Sequence, residues 1–172
     1  DLLEIGRQIR PKMYDMKADH PPPLSPRHLR FEVNERIGGK GQVIRALTDA
    51  AIDNVVDAVA GVETDACAVC LLFSFLTPEH EQRIGKALSK RRPNLSVSLS
   101  CEVQPEFREY ERFSTTLLNA YLQPVIGRYM KTLGSRFAEV APSARLGINQ
   151  SSGGLMSVER AGDMPIRTAL SG

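Results

Sequence analysis

Apolar and polar residues alternate along the chain with the periods of strands and helices. Residues 29–37 alternate apolar and polar positions, which is typical of a half-buried strand, and residues 42–47 can return as its partner after the glycine-rich turn. From Thr48 to Gly61 the apolar residues recur at helical spacing, and Thr48 is a favourable N-cap. The pattern therefore predicts a β-hairpin followed by an amphipathic helix.

The next stretch predicts a second strand–helix–strand unit. Residues 66–75 are almost uniformly apolar, as in a strand that is buried on both faces. A helix should follow over residues 77–92, with proline and acidic residues in its first turn and basic residues in its last. Residues 95–100 then alternate again as a strand. This order predicts a right-handed parallel crossover and an α/β fold, a sheet covered by helices.

The strongest periodicity lies in residues 112–138, where large apolar residues recur every four positions. This pattern predicts a long amphipathic helix whose aromatic stripe packs in the core. Pro124 should kink this helix or split it into two. The remaining chain predicts a strand at 145–150, a short helix at 157–161 and a final strand at 166–170.

Composition excludes two classes of partner. The 172 residues carry 22 Lys and Arg against 20 Asp and Glu, a net charge of +2, which is too small for a nucleic-acid reader driven by bulk charge. No apolar run approaches the ~18 residues of a membrane span. We therefore expect neither nucleic acid nor a membrane as a partner.

Cysteine and histidine offer little chemistry. Cys67 and Cys70 form a C-x-x-C pattern, but residues three apart on a strand point to opposite faces, so we interpret them as buried structural thiols. With Cys101 they make an odd number without a disulfide spacing, which favours a reducing cytosol. The three histidines lack zinc-ligand spacing, so we expect no metal site and surface positions for each: His20, His28 and His80.

Two segments could hold a ligand. Residues 151–154 read Ser-Ser-Gly-Gly between a predicted strand and a predicted helix, so their N–H groups could form an anion-binding nest or only a plain turn. Residues 101–116 are dense in glutamate and arginine beside a strand end, where α/β proteins place ligands. These charges could do acid–base work, although their composition favours surface ion pairs.

Several long stretches of this chain closely resemble the A subunit of the hydantoinase/oxoprolinase family. They are DLLEIGRQIRP at 1–11, AVCLLFSFLTPEHE at 68–81, EVQPEFREYERFSTTLLNAYLQPVIGRYM at 102–130, INQSSGGLMS at 148–157 and TALSG at 168–172. The resemblance covers essentially the whole chain in order. It implies an actin-like, ribonuclease H-like ATPase architecture, with ATP and Mg used to open a cyclic amide such as hydantoin or 5-oxoproline.

The resemblance also implies that this chain is an internal segment. The family's two phosphate motifs do not occur here, so ATP and Mg are expected in the intact protein and no cofactor in this fragment, which should be inactive alone. The expected domains are 1–100, the α/β part of the N-terminal region, and 101–172, the long helix and the start of the hydantoinase A domain. Expected partners are a hydantoinase B-type subunit and a small cyclic amide, with self-association through faces that the rest of the subunit would cover.

The resemblance suggests site residues without assigning catalytic roles. Relatives often carry His at the position of Cys101 and Asn at that of Ser152, so substrate specificity could differ here. The residues expected near substrate or nucleotide in the intact protein are Arg112, Ser114, Thr115, Asn119, Gly153, Gly154, Ser171 and Gly172. Two alternatives stay open, a segment of an ATP-dependent ketone carboxylase and a non-catalytic subunit-assembly module. The expected location is cytoplasmic.

Overall fold

The computed structural model describes residues 2–7, 9 and 11–169. The helices of this part are α1 Leu2–Ile5, α2 Asp49–Ala60, α3 Glu79–Arg91, α4 Ser100–Val103, α5 Glu109–Val140 and α6 Val158–Asp163. The strands are β1 Arg36–Ile37, β2 Val43–Arg45, β3 Ala66–Val69, β4 Ser96–Leu99, β5 Gly147–Asn149 and β6 Leu155–Ser157. Short 3₁₀ helices occupy Arg27–Leu29 and Pro165–Thr168.

The described strands form two-stranded sheets. β3 and β4 run parallel, with Ala66 opposite Ser96 and Val69 opposite Leu99. The strand–α3–strand crossover predicted from the sequence is therefore confirmed. β1 pairs with β2 as an antiparallel hairpin, and β5 pairs with β6 in the same way. The predicted α/β class is confirmed, but the described strands form three two-stranded sheets instead of one larger sheet.

Helices cover both faces of the parallel pair. Apolar side chains of one face join the main core, in which Val69, Ile84 and Leu88 are buried together with residues of α2. α5 lies against the other face, where Ser98 of β4 meets its side chains. Because each face packs on a helix, the residues of β3 and β4 are all buried or half-buried.

A second core joins the C-terminal half of α5 to the last part of the described chain. Met130 packs there with Met156, Val158 and Ala161. The two helices approach closely because both carry glycine at the crossing: the Cα atom of Gly127 lies 3.5 Å from where a Cβ atom of Gly162 would be. This contact fixes α6 on α5.

The predicted strands are longer than the observed ones. Of residues 29–37, only Arg36–Ile37 pair as a strand. The strand predicted over 66–75 ends at Val69, since the N–H group of Leu71 donates to the Glu81 side chain instead of to another strand. Phe73 then takes a left-handed conformation with φ of 61°, which no strand contains.

The final strand expected at 166–170 is wrong. It is replaced by the 3₁₀ helix Pro165–Thr168, and Leu170 itself lies outside the described residues. Of the two outcomes predicted for Pro124, the split is excluded, because α5 continues as one helix for 32 residues, and the kink stays a prediction.

The aromatic stripe of α5 is only partly buried. Tyr121, Val125 and Tyr129 are 64%, 61% and 59% exposed, so the prediction that this stripe packs in the core is wrong for them. β3, β4 and α6 pack on other sides of the helix. An apolar face of α5 is therefore left open to solvent.

His80 also departs from its predicted surface position. It is buried at the start of α3, and its Nδ1 atom lies 2.6 Å from Oε2 of Glu35, which is also buried as a side chain. The pair attaches the segment before β1 to α3. Within the described residues, no helix is long and apolar enough to cross a membrane.

We expect Thr48→Ala to lower the free energy of unfolding by about 1 kcal/mol. The Thr48 Oγ1 atom accepts a hydrogen bond of 3.2 Å from the N–H group of Ala51 and so caps α2. Urea unfolding followed by circular dichroism measures the loss. Thr48→Ser keeps the cap and should stay close to the parent, so an equal loss in both variants would refute this role.

Candidate functional site

A buried carboxylate marks the edge where β3 and β4 end. Glu81 of α3 has no exposed surface, and its Oε1 atom accepts hydrogen bonds from the N–H group of Leu71 at 2.7 Å and the hydroxyl of Ser100 at 2.7 Å. Its Oε2 atom accepts one from the N–H group of Cys101 at 2.8 Å. Because parallel strands end at one edge, this single side chain binds the segments after both strands.

Two serines extend this arrangement. The hydroxyl oxygens of Ser74 and Ser100 lie 3.0 Å apart, and both residues are buried. Since the Ser100 proton is directed to Glu81, Ser74 is the donor to Ser100. We call Ser74, Glu81, Ser100 and Arg112 the polar network.

Arg112, in the first turns of α5, completes the network from the opposite side. Its Nη2 atom donates to the carbonyl oxygen of Leu71 at 3.0 Å and its Nη1 atom to that of Glu106 at 2.5 Å. The guanidinium carbon lies 5.2 Å from the ring centroid of Phe75 and 5.3 Å from that of Phe113, within cation–π range. Burial lowers the pKa of Arg112 and the charge of Glu81 opposes that shift.

One nitrogen of Arg112 is left unsatisfied. Its Nε atom is buried and has no hydrogen-bond partner in the described structure. A buried donor without a hydrogen-bond partner costs free energy. The guanidinium is held in place by the hydrogen bonds of Nη1 and Nη2 and by its contacts with the two aromatic rings.

Asn119, two turns further along α5, connects β4 to the C-terminal segment. Its Nδ2 atom donates to the hydroxyl of Ser98 at 2.9 Å and to the carbonyl oxygen of Asp163 at 3.0 Å, and its Oδ1 atom accepts from the N–H group of Ile166 at 3.2 Å. All of its hydrogen bonds therefore go to the protein itself. Such a side chain positions other elements and has no free group for a ligand.

Burial also sets the acidity of the cysteines. It raises the pKa of Cys67 to about 11 and that of Cys101 to about 12, with the negative charge of Glu81 adding to the second shift. The pKa of Cys70 is raised well above its usual value for the same two reasons. The three thiols are free and stay protonated near neutral pH, and as residues they are half-buried, less than the full burial predicted for Cys67 and Cys70.

The Ser-Ser-Gly-Gly loop joins two strands and not a strand to a helix. It turns the β5–β6 hairpin, where Gly153 and Gly154 have φ of 91° and 83° and are both exposed. The N–H group of Gly153 donates to the carbonyl oxygen of Gln150, and that of Ser151 donates to the carbonyl oxygen of Arg167. With these amides engaged, the geometry favours a plain turn over an anion-binding nest.

The structure brings some of the expected site residues together. Arg112 and Asn119 are fully buried on α5, and Ser114 and Thr115 are half-buried between them. Asn119 and the hairpin both hydrogen-bond to residues 163–167, so these two parts meet at one segment. Ser171 and Gly172 lie outside the described residues.

The arrangement can orient groups but does not resemble a nucleotide site. In the described ranges no cluster of three or more His, Cys, Asp or Glu residues is placed to hold a metal ion. The polar network satisfies its acceptors internally, and in the glycine hairpin the N–H groups of Ser151 and Gly153 donate to carbonyl groups. The polar network therefore does not fit a site for Mg or phosphate groups.

Sequence reasoning missed Glu81, Ser98 and Thr116, all buried. In the sequence, Glu81 lies in the first turn of the predicted helix, where acidic residues are common and need no buried partner. The available signals were Ser74 within an apolar run and the serines at alternating positions of β4, since polar residues on a covered strand face need partners.

Comparison with known proteins identifies the family. The hydantoinase/oxoprolinase N-terminal region matches residues 1–91, and the hydantoinase/oxoprolinase family proper matches residues 112–172. The chain belongs to the hydantoinase/oxoprolinase family.

Three proteins with different names illustrate the kinds of relative to which the chain is similar. An uncharacterized protein of Methanocaldococcus jannaschii is 34% identical over 96% of this chain and 24% of its own length. Caprolactamase subunit alpha of Pseudomonas jessenii is 36% identical over 90% of this chain and 23% of its own length. The gamma subunit of acetophenone carboxylase from Aromatoleum aromaticum is 30% identical over 69% of this chain and 17% of its own length.

The fold agrees with this relationship. The crystal structure of the ATP-dependent caprolactamase from Pseudomonas jessenii superposes with a TM-score of 0.75 at 35% identity, over 91% of this chain and 23% of that one. The chain thus spans about a quarter of the length of its first relatives. Two of these relatives are subunits of multi-subunit enzymes.

We expect Glu81→Ala to lower the free energy of unfolding by about 3–5 kcal/mol, because it leaves the N–H groups of Leu71 and Cys101 without acceptors beside the buried Arg112. Glu81→Gln keeps the size but turns a donor toward a donor, so its loss should be smaller. Chemical denaturation measures both. Glu63→Ala, at an exposed loop residue, is the control and should change stability by less than about 0.5 kcal/mol.

We expect Cys67 and Cys101 to react with iodoacetamide about a hundredfold or more slowly than free cysteine at about pH 8. Their raised pKa values leave less thiolate at any given pH, and the rate should climb as the pH rises toward 11 for Cys67. Peptide mass spectrometry after timed alkylation gives each rate. Rates equal to those of the urea-unfolded chain would contradict the burial of these thiols.

Proposed function

We propose that the intact protein is an ATP-dependent hydrolase that opens a cyclic amide such as hydantoin or 5-oxoproline. The observation that carries this proposal is the 36% identity to caprolactamase subunit alpha over 90% of the chain. Caprolactam is itself a cyclic amide, and the matching solved structure is that of an ATP-dependent enzyme. The family membership and the retained fold support the same type of reaction.

The role that we propose for this segment is to position residues. ATP would supply the activation of the amide carbonyl, bound with Mg by parts of the intact protein outside residues 1–172. Arg112 and Asn119 would act as positioning residues, since their donors are directed to the protein main chain and to Ser98. Ser114 and Thr115, with Gly153 and Gly154, would lie closer to substrate or nucleotide in the intact enzyme.

An ATP-dependent ketone carboxylase is the second candidate. The observation that favours it is the 30% identity to the acetophenone carboxylase gamma subunit, which extends over a smaller share of the chain than the caprolactamase match. A subunit-assembly role is supported by the exposed apolar face of α5. That face would bind a hydantoinase B-type partner subunit, or a second copy when the partner is absent.

Two further proposals concern organisation. We propose a boundary after residue 100, between the N-terminal region and the start of the hydantoinase A domain, although α5 packs against β3 and β4 across it. We also propose a cytoplasmic location, since the enzyme would need ATP and the three cysteines are free.

The test is ADP formation by the intact protein with its partner subunit and Mg-ATP. We expect ADP release that depends on hydantoin, 5-oxoproline or caprolactam, together with the ring-opened acid detected by mass spectrometry. ADP release that depends instead on acetophenone and bicarbonate would favour the carboxylase. The isolated 172-residue chain is the control and should form no ADP.

A matched set of variants tests the proposed site. Ser114→Ala and Thr115→Ala should lower kcat/KM for ring opening by about tenfold or more, equivalent to about 1.4 kcal/mol of transition-state stabilisation. Thr132→Ala, at an exposed position of the same helix, should leave it unchanged. Unaltered kinetics in the first two variants would remove these residues from the site while leaving the overall activity intact.

A further inference from the structure

A cleft lies between α5 and α6 at the start of β4, whereas Glu81 lies beyond the end of that strand. Its volume is about 660 Å³, within the range of small-molecule sites. Ser96, the first residue of β4, lines it. The charged lining residues are Arg128 and Lys131 on α5, and Glu159 and Asp163 on α6. One wall of the cleft is therefore basic and the other acidic.

The basic wall has no partner within the described residues. Arg128 and Lys131 are both exposed and lie three residues apart, so they are neighbours on the surface of α5. Only their main-chain carbonyl oxygens form side-chain hydrogen bonds, with the hydroxyls of Thr132 and Ser135. Because like charges at this spacing repel each other, an anion bound beside them would be stabilised.

The acidic wall is also unpaired. The carboxylate of Asp163 makes no hydrogen bond or ion pair in the part of the chain that is described, and only its main-chain carbonyl oxygen accepts a bond, from Asn119. Hydrogen bonds from its own N–H group and from the Ser157 hydroxyl lower the pKa of Glu159, so this carboxyl is ionised near neutral pH. The two walls of opposite charge therefore border one cleft without neutralising each other.

Gln123 adds an oriented, uncharged donor to the α5 wall. Asn119 Nδ2 donates to the hydroxyl oxygen of Ser98 at 2.9 Å, so the Ser98 proton is directed to Oε1 of Gln123 at 3.0 Å. Since Ser98 is buried, Oε1 of Gln123 is held on the interior side. Its Nε2 atom has no partner among the described residues and remains available at the cleft. The α5 wall thus offers charged and uncharged donors to an acceptor group.

We propose that this cleft binds a zwitterionic ω-amino acid of the kind that opening a lactam ring produces. When the cyclic C–N bond is hydrolysed, water supplies its oxygen to the carbonyl carbon and a proton to the nitrogen, which leaves a carboxylate and an ammonium group at opposite ends of one molecule. The carboxylate would lie at Arg128 and Lys131, and the ammonium group at Asp163 and Glu159. The choice of this ligand rests on the proposed function.

The charges of both walls favour a zwitterion over an ion of one sign. A phosphate or dicarboxylate would be attracted by the bases of α5 but repelled by the carboxylates of α6, and a diamine would meet the reverse. An ω-amino acid carries its two charges at separate points, as the two walls do. This complementarity identifies the class of ligand.

Calorimetric titration of the intact protein with its partner subunit, in the absence of ATP, tests the proposal. The probe is 6-aminohexanoate, and hexanoate and hexylamine each lack one of its charges. We expect 6-aminohexanoate to bind about tenfold or more tightly than either analogue, because each charged end makes its own hydrogen bonds. No binding of 6-aminohexanoate, or equal affinity for all three probes, would overturn the proposal.

Variants assign the binding to the cleft. The double variant Arg128→Ala with Lys131→Ala should weaken 6-aminohexanoate binding about tenfold or more and leave hexylamine unaffected, and Asp163→Asn should weaken 6-aminohexanoate but not hexanoate. The matched controls are Arg136→Ala with Lys86→Ala, and Asp53→Asn, all at exposed positions that do not line the cleft. Melting temperatures equal to that of the parent would show that each variant is folded. Parent affinity in both cleft variants would place the binding elsewhere and refute this site.

Lactam-dependent ADP release, measured on the same preparations, separates this inference from the proposed function. A parent protein that releases ADP with a lactam but does not bind 6-aminohexanoate would refute the cleft site and leave the function standing. A parent protein that binds 6-aminohexanoate, loses this binding in the cleft variants and shows no lactam-dependent ADP release would support the site and refute the function.

Discussion

The peptide unit at Leu71 lies between a buried acid and a buried base, and the described structure depends on this contact. Its N–H group donates to Glu81, and its carbonyl oxygen accepts from Arg112. Glu81 also holds the start of α4 through Ser100 and Cys101. One acid and one base thereby connect the ends of β3 and β4 to α3 and α5.

The internal hydrogen bonds of Glu81 and Asn119 limit their chemical role. Glu81 accepts three hydrogen bonds from protein donors, and Asn119 uses its amide on three protein groups. Buried groups that are satisfied in this way rigidify a scaffold. The network therefore fixes the strand ends and the start of α5, and chemistry at this edge would fall to less buried neighbours such as Ser114 and Thr115.

The exposed apolar surfaces agree with a chain that spans a quarter of its relatives. Tyr121, Val125 and Tyr129 on the open face of α5 are examples. Exposed apolar side chains grouped on one face are typical of surfaces where other molecules bind. The interior of the segment, in contrast, contains two cores of buried apolar residues.

The elements whose signals are local could be predicted from the sequence alone. The β1–β2 hairpin, the N-cap at Thr48, the crossover through α3 and the existence of α5 follow from periodicity and capping within a few residues, and the quoted motifs were sufficient for the family. The end of β3, the burial of Glu81 and His80, and the open side of α5 are set by tertiary contacts. These outcomes depend on contacts with Leu71, Glu35 and Arg112. Contacts between residues far apart in the chain produce no periodic pattern in the sequence, so they could not be predicted from it.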